Sequence, residues 1–248
     1  MVRFKINYLS KNEFLILNFI AKFGYVEESH IIIFSQLSKN YCQKILRQLV
    51  ILELIIREKI LNNRDHYLYL TKNGAKLLQI KTIAKPILHT LLHDSLLVEL
   101  YLSLVNFNPN WIIQSDKELK RSNNRVISNK FRLPDLLINQ QIAIELELSQ
   151  KSDIRLNEIL HNYIIDNNYS MVIYIVKNLA IMNKIKAIID NLSDKFYFYL
   201  LDDNLNVNSL KLCGNNQLAL FDLIMYLPVS SIDEKFGNFS YIKVGRYN

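Results

Sequence analysis

Asp135, Glu145 and Glu147 are the residues whose types and spacing most plainly suggest chemistry. Residues 142–148 (IAIELEL) alternate as a strand does, so Ile142, Ile144, Leu146 and Leu148 share one side. Ala143, Glu145 and Glu147 share the other side, with the two carboxylates about 6.6 Å apart along the backbone. The run before it, Leu133–Ile138, reads as a partner strand, and Asn139-Gln140-Gln141 as the turn between them. Asp135 can then converge on the two glutamates. Carboxylates gathered in this way repel one another, and a hard divalent cation relieves the repulsion. The alternative for the glutamates is the wet face of an edge strand, which requires no ligand.

The surrounding pattern is that of a mixed sheet with helices on its faces. Residues 88–105 read as an apolar helix bearing His89, His93, Asp94 and Glu99, and Trp111–Ser115 as a short strand. Residues 117–132 hold six Lys and Arg against one Glu and have the character of a loop or distorted hairpin. A helix follows Glu147, with Lys151 in its first turn and Arg155 and Tyr163 further along it. A buried strand over 169–176, a helix over 180–192 and a strand over 195–201 continue the alternation. Beyond residue 203 only a helix over 217–226 is legible.

The N-terminal part has a different grammar. Ser10 followed by Glu13 predicts a capped helix over 10–23, ended by Gly24. A second helix is expected over 27–36 and a third from Ser38, with Cys42, Ile45, Leu46 and Leu49 inward. Its outward positions include Lys39, Asn40, Gln43, Lys44 and Arg47. The period then changes to that of a β-hairpin, with strands over 54–61 and 66–70, Asn62-Asn63-Arg64-Asp65 at the tip, and a further helix over 71–78. Residues 81–87, with Pro86, are the expected linker between domains at 1–80 and 88–248.

Charge supports that division. Residues 1–80 carry 12 Lys and Arg against 6 Asp and Glu, and the other 168 residues carry 18 against 17. A basic module on a nearly neutral body suits a polyanion partner. No apolar run approaches the roughly 20 residues needed to span a bilayer, and no signal-peptide pattern is visible. Cys42 and Cys213 form no metal or redox spacing, as expected of a cytoplasmic chain without membrane insertion.

Three helices and a hairpin with a basic, Asn-rich tip resemble a winged helix-turn-helix, and Tyr67–Leu78 (YLYLTKNGAKLL) closely resembles the family's join between wing and last helix. The resemblance implies that the third helix enters the major groove of double-stranded DNA and that Arg64 reaches a phosphate or the minor groove. Pro134-Asp135, nine residues, then Glu145-Leu146-Glu147 resembles the PD-(D/E)XK nuclease signature, with Glu147 where a lysine is usual. The string Glu145 to Ser152 with Arg155 and Tyr163 looks more specifically like the replication-relaxation proteins and MOBC-class plasmid relaxases. The implied fold class is α+β: a winged helix followed by a mixed α/β restriction-endonuclease-like domain.

The implied activity is nicking of one strand at an origin of transfer, in company with other relaxosome or coupling proteins. The alternatives are a catalytically inactive DNA-binding accessory protein and a restriction-type endonuclease. By the resemblance, Asp135 and Glu145 would hold Mg²⁺ or Mn²⁺, and Glu147 would complete the metal shell. Lys151 would take over the missing lysine's task and Arg155 would contact a phosphate. Glu99 would supply a further carboxylate from the preceding helix, and Tyr163 is a candidate nucleophile or phosphate contact.

Overall fold

The computed structural model describes residues 9–81, 84–122, 133–189, 194–202, 211–212 and 224. Helix α1 (Lys11–Phe23) begins at a reciprocal cap. The Ser10 amide donates to the Glu13 carboxylate at 2.7 Å, and the Glu13 amide donates back to Ser10 Oγ. It ends at Gly24, where φ is 84°. A Cβ at Gly24 would sit 2.5 Å from Ala84 Cβ, so glycine is required both for the turn and for the linker's close approach.

After α1 come β1 (Tyr25–Glu27), α2 (Glu28–Ser35) and α3 (Lys39–Ile51). Then follow β2 (Ile55–Glu58), β3 (Tyr67–Leu70) and α4 (Lys72–Leu77). Ser38 caps α3, and Thr71 caps α4 by accepting from the Gly74 amide at 3.1 Å. The helices and hairpin expected from periodicity are present, while β1 is an addition. Its three residues are too few to show a period, yet it pairs antiparallel with β3 and gives the sheet order β1-β3-β2.

Helix α5 (Leu91–Phe107) opens the second half, followed by β4 (Ile113–Ser115), α6 (Asp116–Ser122), β5 (Leu136–Ile138) and β6 (Ile142–Glu147). The chain continues through α7 (Asp153–Ile165), β7 (Met171–Val176), α8 (Leu179–Ile189), β8 (Phe196–Leu200) and β9 (Lys211–Leu212). The sheet order is β4-β5-β6-β7-β8-β9. Strands β4 to β6 are antiparallel, β6 to β8 parallel, and β9 antiparallel to β8. Ile142, Ile144 and Leu146 lie in a core with Leu96 and Leu100 of α5. Ala143 lies in a second core with Leu156 and Leu160 of α7 and Ile185 of α8. Three layers result, and the chain is α+β.

Two expectations need correction. Residues 116–122 are a helix rather than a loop, because Ser115 and Glu118 repeat the cap of Ser10 and Glu13. The Ser115 amide donates to Glu118 Oε2 at 3.1 Å, and the Glu118 amide donates to Ser115 Oγ at 3.3 Å. Lys151 precedes α7 instead of sitting in its first turn, since extended Ser152 is the N-cap. Residues 123–132, Cys213 and most of the helix expected over 217–226 lie outside the described residues.

Described residues from both of the expected domains share one core. Leu17 and Ile20 of α1, Leu46 of α3, Leu100 of α5 and Ile144 of β6 belong to one apolar cluster. The last turn of α1 is closed by the second half: Ser115 Oγ donates to the Lys22 carbonyl and Arg121 to the Ala21 carbonyl. These are the carbonyls that a helix end leaves without partners. Lys22 Nζ reaches Glu118 at 2.5 Å and the Ile113 carbonyl at 2.6 Å. Among the described residues no helix is long and apolar enough to cross a membrane.

Candidate functional site

Strand β6 lies between β5 and β7, and Glu145 and Glu147 are only 2% and 6% exposed. That removes the wet-edge reading of these glutamates. A buried carboxylate is tolerated only with partners, and each has one. Tyr163 Oη, on the inner side of α7, donates to Glu145 Oε1 at 2.5 Å. Burial, helped by the Glu145 charge, pushes the Tyr163 phenol well above its ordinary pKa. Glu147 is ion-paired with Lys151, in the segment between β6 and α7. Lys184 of α8 secures that segment through the Lys151 carbonyl at 2.8 Å and Asp153 at 2.5 Å.

Asp135 stands just before β5. The β5–β6 ladder ends at the pair Leu136 with Ile144, and Asp135 lies just outside it in a bend. The Asp135 carboxylate accepts from the Leu146 amide at 2.9 Å, replacing the ladder partner that β5 no longer supplies. On its other side is His93 of α5. His93 Nε2 is 3.3 Å from Asp135 Oδ2 and 3.1 Å from the Leu146 carbonyl, and Nδ1 is 3.0 Å from Asp94 Oδ1.

Burial works against a charge on His93, but the hydrogen bonds and charges of Asp135 and Asp94 outweigh it and raise its pKa to about 10. The ring is clasped by two carboxylates, which favour its charged form. Asp94 shows the complementary shift: burial would raise its pKa, yet bonds from His93 and Tyr25 hold it below the usual range.

Glu99, expected to join the carboxylates, is placed elsewhere. Its carboxylate faces His30 of α2 at 3.8 Å. Six residues beyond His93 on a helix turns a side chain to a different face, so α5 presents an imidazole, not a carboxylate, to Asp135. Asp135 and Glu145 also reach different sides, the first toward α5 and the second toward α7. Among the described residues no three His, Cys, Asp or Glu side chains are grouped as a metal would require. The donors are nevertheless of the right type: Mg²⁺ is commonly held by one or two carboxylates plus water and phosphate oxygens. As placed, however, Asp135 and Glu145 face different sides and do not converge on one cation, and Glu147 is engaged by Lys151.

On α3, Lys39, Asn40, Lys44 and Arg47 are exposed, as expected. Gln43 is half-buried and donates to Glu28 Oε1 at 3.3 Å. Arg64 departs from its expected outward role. Its guanidinium turns inward to Glu27 Oε1 at 3.2 Å, because Glu27 is 4% exposed and requires a counter-charge. Arg155 is exposed on α7. The sequence reading passed over Tyr25, Glu27 and Glu28. Glu28 binds Arg57 through Nη2 at 2.7 Å and Nε at 3.0 Å, and Glu27 accepts from Ser95 of α5 and from Tyr67. The one signal for them is a charged pair entering a short helix after an apolar one. In comparisons with protein-family models, curated proteins and solved structures, no match to this chain was found.

Proposed function

We propose that the chain binds double-stranded DNA through a winged-helix N-terminal module and nicks one strand at the Asp135–Glu145 end of the six-stranded sheet. Such a protein would act at an origin of transfer in plasmid mobilisation, beside other relaxosome or coupling proteins. The observation that carries the reading is the bond from the Leu146 amide to Asp135, which brings that carboxylate to β6 between Glu145 and Glu147, the latter with its partner Lys151. The exposed cations of α3 supply the matching phosphate-binding face. The antiparallel β4–β6 unit, followed by a helix and a parallel strand, fits a restriction-endonuclease-like domain.

Asp135 and Glu145 are the residues that would hold Mg²⁺ or Mn²⁺, which requires one of the two side chains to turn toward the other. Such a cation, when bound, polarises a phosphate and acidifies water. Glu147 holds Lys151 close to the site, where an ammonium offsets developing negative charge. Tyr163 is buried, protonated and already donating to Glu145. It therefore positions that carboxylate, and water is the attacking group.

The test is incubation of supercoiled plasmid carrying a transfer origin with the full chain and Mg²⁺ or Mn²⁺. Conversion to open circles supports the proposal, and linear product would point to a restriction-type enzyme. One observation favours a second reading, a DNA-binding accessory protein without activity: all three carboxylates are already engaged. Salt-dependent DNA binding without any metal-dependent cutting would establish that reading in place of the first.

A further inference from the structure

Strand β1 is short, yet it touches the second half of the chain at two points. Tyr25 and Glu27 are two residues apart and share one side of the strand. Tyr25 Oη donates to Asp94 Oδ2 and is 2.9 Å from Thr90 Oγ1, while Glu27 accepts from Ser95. Asp94 and Ser95 are neighbours on α5, so β1 is fastened to that helix by both prongs. From Asp94 the contacts continue without interruption through His93 to Asp135. Asp135 in turn holds the Leu146 amide.

We infer that Tyr25 and Asp94 are positioning residues for Asp135, so the N-terminal module sets the orientation of a carboxylate in the β5–β6 site. The physical reason is directional. An imidazole ring held at one nitrogen only is free to rotate about its outer bond. With Nδ1 against Asp94, and Asp94 fixed by Tyr25, Nε2 is aimed at the gap between the Asp135 carboxylate and the Leu146 carbonyl. Partners of this kind around a ligating group typically change affinity or activity about 10- to 100-fold when removed. The catalytic consequence rests on the proposed nuclease reading, whereas the orientation of Asp135 does not.

The experiment uses the full chain with Tyr25→Phe, which keeps the ring beside Tyr67 and deletes only the hydroxyl, and with Asp94→Asn. Amide hydrogen exchange is followed over 142–148 and, for comparison, over 171–176. Mn²⁺ uptake is titrated directly, and plasmid nicking is resolved into kcat and KM. The expected result is faster exchange at the Leu146 amide in both variants and unchanged protection over 171–176. Mn²⁺ titrations should shift to about tenfold higher concentration, and kcat should fall by a similar factor at constant KM and DNA affinity.

Wild-type exchange at Leu146 in both variants would overturn the inference. So would a loss of protection spread evenly over β6 and β7, because that marks general destabilisation. If the unaltered chain neither takes up Mn²⁺ nor nicks, the proposed function fails, and local exchange at Leu146 still decides whether Tyr25 positions Asp135.

Discussion

Both sheets bury a pair of glutamates, and they answer the charge in opposite ways. Glu27 and Glu28, at the junction of β1 and α2, are met by the guanidiniums of Arg64 and Arg57 from the β2–β3 hairpin. Glu145 and Glu147, on β6, are met by a phenol and by a lysine from a loop. A guanidinium keeps its charge under all ordinary conditions and offers several donors at once: Arg57 sets two on Glu28 Oε2, and Arg64 sets one on Glu27. A phenol donates one hydrogen bond without a charge, and an ammonium acts as a point charge without a planar fork. The first pair therefore reads as structure, tying the hairpin to the body. The second is the pair that the proposed function uses.

Removing carboxylates from the two pairs should separate these roles most sharply. Asp135→Ala and Glu145→Ala are expected to reduce nicking to background while thermal unfolding and DNA affinity stay near the unaltered chain. Retained cleavage in either purified variant would take that residue out of the site. Equal loss of folding stability in these variants and in Glu27→Ala would erase the distinction between the pairs.

Next in size is the contribution of the Glu147–Lys151 pair. Lys151→Ala should slow nicking by 10²–10³-fold, the range found when one electrostatic donor to a transition state is deleted. That substitution also leaves Glu147 buried without its cation, so the single variant mixes two effects. Glu147→Gln and the double variant complete a cycle that separates them. If Lys151 serves only to neutralise Glu147, the double variant should recover most of the rate. If the ammonium acts on the reaction, the double variant stays slow at saturating metal.

The structural joint predicts a change in stability instead. Glu28→Gln keeps the shape but drops the charge that Arg57 binds, and Arg57 is partly exposed and can turn to water. A loss of about 1–3 kcal/mol is expected in denaturant unfolding, with no metal-dependent phenotype beyond it. Full stability in this variant would show that the fork is dispensable.

The same contrast explains what could be read from the sequence. Capping residues, helical stripes and the alternation of residues 142–148 act over a few positions, so Ser10, Glu13 and the β6 faces were legible. The α6 cap at Ser115 and Glu118 carried the same signature, but it was hidden in a strongly basic stretch. Asp135, Glu145 and Glu147 stand out by type and spacing, whereas the directions they face and their partners were not legible. Tyr163 lies 18 residues from Glu145 and His93 lies 42 from Asp135. Such pairings are fixed by how α5 and α7 pack on opposite faces of the sheet, and no local pattern encodes that. Glu27 and Glu28 were passed over because burial of a charged pair is decided by tertiary packing, which overrides the preference of glutamate for the surface.

The smallest expected effect tests the exposed surface that neither glutamate pair restrains. Arg57 and Arg64 are committed to Glu28 and Glu27, so the hairpin contributes less free positive charge than its composition suggests. Under the proposed function, phosphate binding would then fall mainly to α3, where Lys44 and Arg47 are exposed. Each contact to a phosphate releases counterions, and losing one should lower the salt slope of binding by roughly one. Lys44→Ala and Arg47→Ala should each weaken binding several-fold at moderate salt and reduce the slope by about that amount. Arg64→Ala should leave the slope unchanged, since its charge is spent on Glu27. Anisotropy titrations of a duplex over a range of salt concentrations measure all three. A slope that falls with Arg64→Ala but not with Lys44→Ala would move the DNA contact from α3 to the hairpin tip, and the contrast between fixed and available charge in this module would have to be reversed.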